Sequence, residues 1–458
     1  MTLIAFVLLF AAAIFGYVLN LRAARQIRNG GQRLHSLGGF HGAYAFLLVA
    51  LPAFVFTLLW IMLQGSVVDA MVMRRLPAGT LDGLDGGAVQ LILAEIRSLA
   101  GGRVFGTPEP WKIEAARQLV ELRATAANLM LLGLAVLVLA MLVVARRRVS
   151  AGFRARQRVE RILSGLMIFC SLVAIFTTIG IIASLLFESL RFFRMVPWYD
   201  FLFGLRWEPQ MPIRADQIAA VGAFGWLPVI LGTMVITVVA MLFSVPVGLF
   251  SAIYLNEFAA PRVRAVAKPV LEVLAGVPTV VYGFFAVLTV APLLRSFGES
   301  WGLPIAPNTA LAAGLVMGVM LIPFISSFAD DALSAVPRSL RDGSLALGAT
   351  RAETVLKVLF PAAVPGIVGG VLLAVSRAIG ETMIVVMAAG LIAKMTINPL
   401  DSVTTVTVQI VTLLIGDTSF DSPKTLAAFA LGLMLFIVTL GINVLALRIV
   451  RKYREIYD

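Results

Sequence analysis

The chain has 458 residues, of which 60% are hydrophobic and only 14% charged. A soluble domain cannot hide that much apolar surface in one core, so composition excludes an ordinary globular enzyme and makes lipid the solvent. The formal net charge of +12 would point a soluble protein towards nucleic acid; in a membrane protein the placement of charge along the chain decides its meaning, and no nucleic-acid partner is implied.

Charge-free runs long enough to cross the roughly 30 Å hydrocarbon core recur at Thr2–Leu21, Ala43–Val68, Thr125–Ala145, Ile162–Phe187, Phe224–Leu255, Thr309–Phe328 and Thr425–Leu447. Pro269–Leu294 and Val364–Ile392 carry a few charges, which brings the predicted spans to nine and the fold class to an all-α polytopic membrane protein. Thr2–Leu21 lacks a basic segment ahead of it and has its arginines behind it, so it reads as a retained span, not a secretory signal.

Arginines crowd alternate connections. Arg22, Arg25, Arg28 and Arg33 follow the first span, and Arg146, Arg147, Arg148, Arg154, Arg156, Arg158 and Arg161 precede the fourth. Arg262, Arg264 and Lys268 follow the fifth; Arg338, Arg341, Arg351 and Lys357 follow the seventh; Arg448, Arg451, Lys452 and Arg454 end the chain. With nine spans and the N-terminus outside, every cluster falls in the cytoplasm, as the positive-inside rule requires. A reporter active only in the cytoplasm should therefore work when fused after Asp458 or inserted near Asn29, and should fail near Gly86. Activity near Gly86 would overturn the nine-span topology.

The stretch from Arg146 to Arg161 divides the chain into residues 1–160, with three spans and an outside loop at about 64–124, and residues 161–458, with six spans. The outside loop has a Gly-Asp turn cluster at Leu81 to Gly87, followed by predicted helices at Ala88–Leu99 and Trp111–Leu122. These would make a small cap on the outer face; a spacer or assembly aid with no ligand is the plainer alternative. Cys170, the single cysteine, lies in a span and can form no intrachain disulfide. His35 and His41 stand beside a cytoplasmic boundary without cysteine or carboxylate company, so they read as surface residues, and no zinc spacing occurs.

Pro246 and Gly248 in the fifth span, and Gly276, Pro278 and Gly283 in the sixth, have two physical readings. Either they kink helices that face a cavity, or small residues let helices pack closely. Glu272 is placed to reach back to Lys268, four residues earlier.

Between two apolar runs lies a polar loop, RDGSLALGATRAETVLKVLFPAAVPGI, from Arg341 to Ile367. Pro337 opens a first short helix, and Gly348 closes it in the left-handed conformation that glycine adopts cheaply. Thr350 and Glu353 form a T-x-x-E capping box for a second helix, predicted to run to Phe360 and stop at Pro361. The loop resembles the coupling segment of ABC importer permeases: Glu-Ala-Ala, three residues, Gly, nine residues, Ile, one residue, Leu-Pro. Asp342, Gly343 and Ser344 stand at the Glu-Ala-Ala positions, a departure from the pattern. Gly348 stands at the glycine, Val358 at the isoleucine, and Phe360-Pro361 at Leu-Pro. The plain alternative is an amphipathic loop on the membrane surface.

DFLFGLRW at Asp200–Trp207, the segment Gly232–Ala259, LEVLAGVPTVVYGFFA at Leu271–Ala286 and SRAIGETMIVVMAAG at Ser376–Gly390 narrow the resemblance. Together these segments are similar to the PstC family of permease subunits of the bacterial phosphate-specific ABC importer. The resemblance covers nearly all of 161–458 and implies a six-helix type I importer core preceded by a three-helix extension, in a bacterial inner (plasma) membrane. It implies a PstA-like second permease, a PstB-like ATPase dimer, a PstS-like periplasmic phosphate-binding protein, and inorganic phosphate as the solute. It assigns ATPase coupling to Asp342, Gly343, Ser344, Gly348, Ala349, Thr350, Glu353 and Pro361, and the substrate path to Arg377, Glu381 and Thr382.

Residue chemistry bears on both assignments. A P-loop needs Gly-Lys-Ser/Thr; the six lysines, Lys112, Lys268, Lys357, Lys394, Lys424 and Lys452, are never preceded by glycine. The chain thus reads as a conduit without a nucleotide site or cofactor, driven by a separate ATPase. Arg377 lies 13 residues beyond Val364, about 20 Å along a continuous helix, where an ionised group costs about 2.5–3.5 kcal/mol. Glu381, four residues on, would share its helix face. The two are read either as a simple ion pair or as an anion site in which the guanidinium fork holds phosphate. A permease of the same fold for molybdate, sulfate, a polyamine or an amino acid remains the alternative. An ion-driven secondary transporter would need inverted repeats and ionisable residues in several spans, and neither is evident.

Overall fold

The computed structural model describes residues 2–77, 80, 86–103, 108–210, 222–415 and 422–454. Nine helices among these residues are long and apolar enough to cross a membrane, so the chain is a multi-pass membrane protein. By internal contacts the chain divides into Met1–Phe176 and Thr177–Asp458.

In the first unit, α1 (Thr2–Asn29), α2 (Gly38–Arg74) and α4 (Pro110–Arg147) are the long helices, and α3 (Gly86–Ala100) is short. On α1 the buried residues Ala5, Leu9, Ala13, Gly16, Asn20 and Ala24 recur every three or four positions, a stripe of mostly small side chains that lets neighbouring helices approach. Trp111–Leu122 and the third span are one helix, not two, because no breaker separates Leu122 from Thr125. Val68, Val72, Ile96, Ala115, Ala116 and Leu119 form a small core where α2, α3 and α4 meet. Lys112 adds a 2.7 Å bond to Glu95, and Arg97 pairs with Asp69. Residues 81–85 of the expected turn cluster lie outside the described residues. His35 is exposed, but His41 is a correction to the surface reading: it is 1% exposed, beside the Phe153 ring. The reason is that α2 already begins at Gly38, placing His41 on a packed turn beside Gly42, which abuts Tyr17 of α1.

The division between units falls within α5 (Ala155–Met195). Next come α6 (Trp198–Phe203) and a two-residue antiparallel ribbon in which Trp207–Glu208 (β1) pairs with Ala223–Phe224 (β2). The DFLFGLRW segment thus builds an aromatic cluster. Phe201 is fully buried, edge-on to Phe192 and Phe193 at 5.5 Å and stacked on Trp226 at 6.5 Å.

The fifth span is α7 (Leu227–Ile253), which passes unbroken through Pro246 and ends in a π turn at Tyr254–Phe258. It packs along α11 (Ala310–Ser334). A Cβ at Gly248 would lie 2.9 Å from Ile325 Cγ2 and 3.2 Å from the Ile322 carbonyl, so close packing is the correct reading there. Gly276 and Pro278 do break the chain. Pro261–Ala275 (α8) is a separate helix, and the sixth span starts at Thr279 instead of Pro269, as α9 (Thr279–Phe285), a π turn at Ala286–Val290 and α10 (Ala291–Ser300).

After α12 (Arg338–Ala346), a second long helix runs from α13 (Arg351–Thr354) through a π turn at Val355–Leu359 into α14 (Phe360–Ile379). Pro361 does not stop it. The Phe360 N–H donates to the Val355 carbonyl, five residues back, and this wider turn accommodates a residue without an N–H as the new helix begins. Nor is Val364–Ile392 one span. The helix opens at Gly380–Thr382, and the chain continues as α15 (Met383–Ala388), an irregular stretch, α16 (Val406–Leu414) and the last span α17 (Pro423–Arg454).

Candidate coupling loop and substrate path

Local chemistry builds the elbow of the loop. Pro337 precedes α12, which contains Asp342, Gly343 and Ser344; the first two are exposed and Ser344 is half-buried. Gly348 takes φ +86°. Its N–H donates to the Leu345 carbonyl at 3.0 Å, and that of Ala349 to the Ser344 carbonyl at 3.2 Å. This pair is a Schellman closure, which satisfies carbonyls that the helix end would otherwise leave open. Thr350 then starts α13. Its N–H donates to Glu353 Oε2 at 3.0 Å, and the Glu353 N–H returns a bond to Thr350 Oγ1 at 3.3 Å. Ser344 Oγ lies 3.0 Å from the buried Thr354 Oγ1, tying the two helices together across the elbow. Arg341 of α12 also pairs with Glu257, at the end of α7's π turn.

The loop keeps an apolar surface. Leu347 is 91% exposed at the tip and Leu356 67% exposed on the second helix, with Arg338 and Arg351 nearby in sequence and also exposed. An exposed leucine knob among arginines is unfavourable in water and suits a protein surface that covers it.

Arg377 lies in the last turn of α14, exposed, with its guanidinium carbon 5.4 Å from the centre of the Phe324 ring. It makes no ion pair with Glu381. The helix has ended at Ile379, so four-residue spacing no longer puts the two on one face. Glu381 Oε1 instead accepts the N–H groups of Met383 and Ile384 at 3.1 and 3.4 Å, capping α15. Its main-chain carbonyl accepts Thr407 Oγ1 at 2.8 Å, and Thr382 Oγ1 donates to the Gly380 carbonyl at 3.3 Å. Arg377, Glu381 and Thr382 therefore sit on one helix break, which bends the chain away and leaves the arginine's donors outside any carboxylate pair among the described residues.

Two polar groups here carried little sequence signal. Gln409 of α16 is 5% exposed; it accepts Trp207 Nε1 at 2.8 Å and donates to the Leu391 carbonyl at 2.9 Å and Thr404 Oγ1 at 3.0 Å. Its segment, VTVQIVTLL, is too short for a span and too β-branched to read as helix. Asp330 is the second. Lys268 bonds it at 2.8 Å, in place of the Glu272 partner expected from the four-residue spacing. Its carboxylate holds the Lys268 ammonium above the usual lysine range.

Comparison with known proteins places these features. The family described as binding-protein-dependent transport system inner membrane component matches residues 244–455. A second family, described as phosphate ATP-binding cassette transporter, matches residues 6–177, which includes the three-helix extension. The probable ABC transporter permease protein YqgH of Bacillus subtilis is 34% identical over 63% of this chain and 89% of its own length. Phosphate transport system permease protein PstC 1 of Mycobacterium bovis is 34% identical over 51% of this chain and 74% of its own. PstC of Haemophilus influenzae is 29% identical over 64% of this chain and 91% of its own. The chain belongs to the binding-protein-dependent ABC permeases, in the PstC family of phosphate transport system permeases.

Proposed function

We propose that the chain is the transmembrane permease subunit of an ATP-driven phosphate importer, forming half of the translocation pathway. The observation that carries this reading is the loop between α11 and α14. A glycine elbow, a capping box and an exposed leucine tip sit in register with the coupling segment of ABC importers, in a chain whose lysines exclude a P-loop. The energy then comes from a separate ATPase, present in two copies and gripping Asp342, Gly343, Ser344, Gly348, Ala349, Thr350, Glu353 and Pro361. The chain itself is not an enzyme. A second, PstA-like permease supplies the other half of the path. A PstS-like binding protein delivers phosphate from outside a bacterial inner membrane.

We assign Arg377 to the anion path, with Glu381 and Thr382 shaping the break beside it. The guanidinium fork offers two parallel charge-assisted bonds to a pair of phosphate oxygens. Residues 1–160 form the extension and 161–458 the permease core. The test is purification with the native partners followed by ATPase assays with phosphate, sulfate and molybdate. Stimulation by phosphate alone supports the reading, whereas stimulation by another oxyanion, and not by phosphate, replaces the solute.

A further inference from the structure

The end of α11 carries a carboxylate held from two other segments. Asp330 is 6% exposed. Asn256 Nδ2, from the π turn after α7, donates to its Oδ1 at 2.6 Å and to Ser334 Oγ at 2.8 Å. From α8, Lys268 Nζ lies 2.8 Å from Oδ2, and Arg264 Nη2 lies 3.2 Å from Oδ1. Arg264 and Lys268 are four residues apart, so one face of α8 presents both cations to one nearly desolvated carboxylate. No residue of α8 is fully buried, and these bonds tie it to α11.

The residue after Asn256 is Glu257, which pairs with Arg341 of α12. Two consecutive side chains of one π turn thus grip the coupling loop on one side and the end of α11 on the other. From α8 the path continues through the Gly276–Pro278 break into α9. There a Cβ on Gly283 would lie 2.7 Å from Met387 Sδ and 3.2 Å from the Met383 carbonyl, both on α15. The short helix α15 is the one that Glu381 caps. A contiguous set of contacts therefore joins the loop to the helix break beside Arg377, and its polar centre is Asp330.

We propose that Asp330 is a positioning residue for energy coupling: its bonds to Arg264 and Lys268, with the neighbouring Glu257–Arg341 pair, carry displacement of α12 to α8 and from there to the Glu381 segment. This rests on the permease reading above. The physical ground is that a nearly buried carboxylate bonded by the side chains of Asn256, Arg264 and Lys268 resists small displacements and passes them on to the segments that hold it. A purely structural role predicts something different, namely that losing the junction lowers the amount of assembled complex and every activity with it.

The experiment uses the complete complex with its partner subunits in proteoliposomes, with phosphate uptake and ATP hydrolysis measured on the same preparation. Asp330→Asn keeps the shape and removes the charge. Uptake is expected to fall about tenfold while hydrolysis stays within about twofold, so that phosphate moved per ATP drops, a size typical of a lost coupling. Lys268→Met, which leaves Asp330 paired with Arg264, should show the same split more mildly. Uptake and hydrolysis falling in proportion, loss of the ATPase from the purified complex, or unchanged uptake in both single variants would each overturn the proposal. Failure of the permease reading shows itself separately, in a wild-type complex that lacks an ATPase or does not move phosphate.

Discussion

Arg377→Gln is expected to abolish phosphate uptake in membranes from which the ATPase still co-purifies at the wild-type level. The structure removes the main reason why such a variant would unfold. Had Arg377 been paired with Glu381, neutralising it would have stranded a carboxylate; instead Glu381 is already engaged by the Met383 and Ile384 N–H groups. What the substitution costs the fold is one contact over the Phe324 ring, worth about 0.5–1 kcal/mol at an exposed site. What it costs transport is larger. Hydrogen bonds to charged groups contribute about 1.5–3 kcal/mol each, and a bidentate grip on phosphate loses two, so uptake should drop at least about a hundredfold. Arg377→Lys keeps the charge but not the planar fork and should retain little activity. Uptake and ATPase co-purification measured in the same membranes decide the matter. Normal uptake in Arg377→Gln would exclude a path role, and loss of the assembled complex would make the arginine structural.

The parts of this molecule that the sequence made legible are those whose causes are local. Pro337, Gly348, Thr350 and Glu353 each act on neighbours within a few residues, and the structure holds them in the Schellman closure and capping box that such residues favour. The spans were legible because length and hydrophobicity suffice to find them. Where a helix stops inside a span was not, since that depends on partners far away in sequence. Gly248 and Gly276 are the same residue type in stretches that the sequence reads as spans, yet the first is sealed against Ile325 and the second ends a helix ahead of its span. Pro361 sits inside a continuous helix because a π turn forms before it, while the break that matters came at Gly380, with no proline at all. The candidate path residues could be picked by type, but their relation could not. The Arg377–Glu381 ion pair, one of the two readings of those residues, and the Glu272–Lys268 pair assumed unbroken helices or local partners, and competing bonds to the chain at Met383 and to Asp330 won. Trp207 and Gln409, 202 positions apart, leave no trace in any window of sequence.

Gly348→Val should leave the permease in the membrane and detach it from its ATPase. At φ +86° an added Cβ meets no atom within 4 Å, so the branch point fits and the effect expected is backbone strain. A β-branched residue in the left-handed region costs about 1–2 kcal/mol or more, and the chain can escape that cost only by leaving the region. Doing so breaks the bond from the residue-348 N–H to the Leu345 carbonyl and the one from Ala349 to Ser344. It also rotates α12 relative to the Thr350 cap and displaces Leu347 from the tip. The nine spans lie elsewhere and should insert unchanged. Since every 1.4 kcal/mol is about tenfold in an equilibrium, ATPase co-purification should fall about tenfold or more, and uptake with it. Gly348→Asn is the informative partner experiment, because asparagine tolerates the left-handed region and should preserve most of the coupling that valine destroys. A valine variant that binds its ATPase and transports at the wild-type rate would show that the elbow is not the docking element. Equal damage from asparagine and valine would show that the loop needs the bare glycine surface and not its conformation.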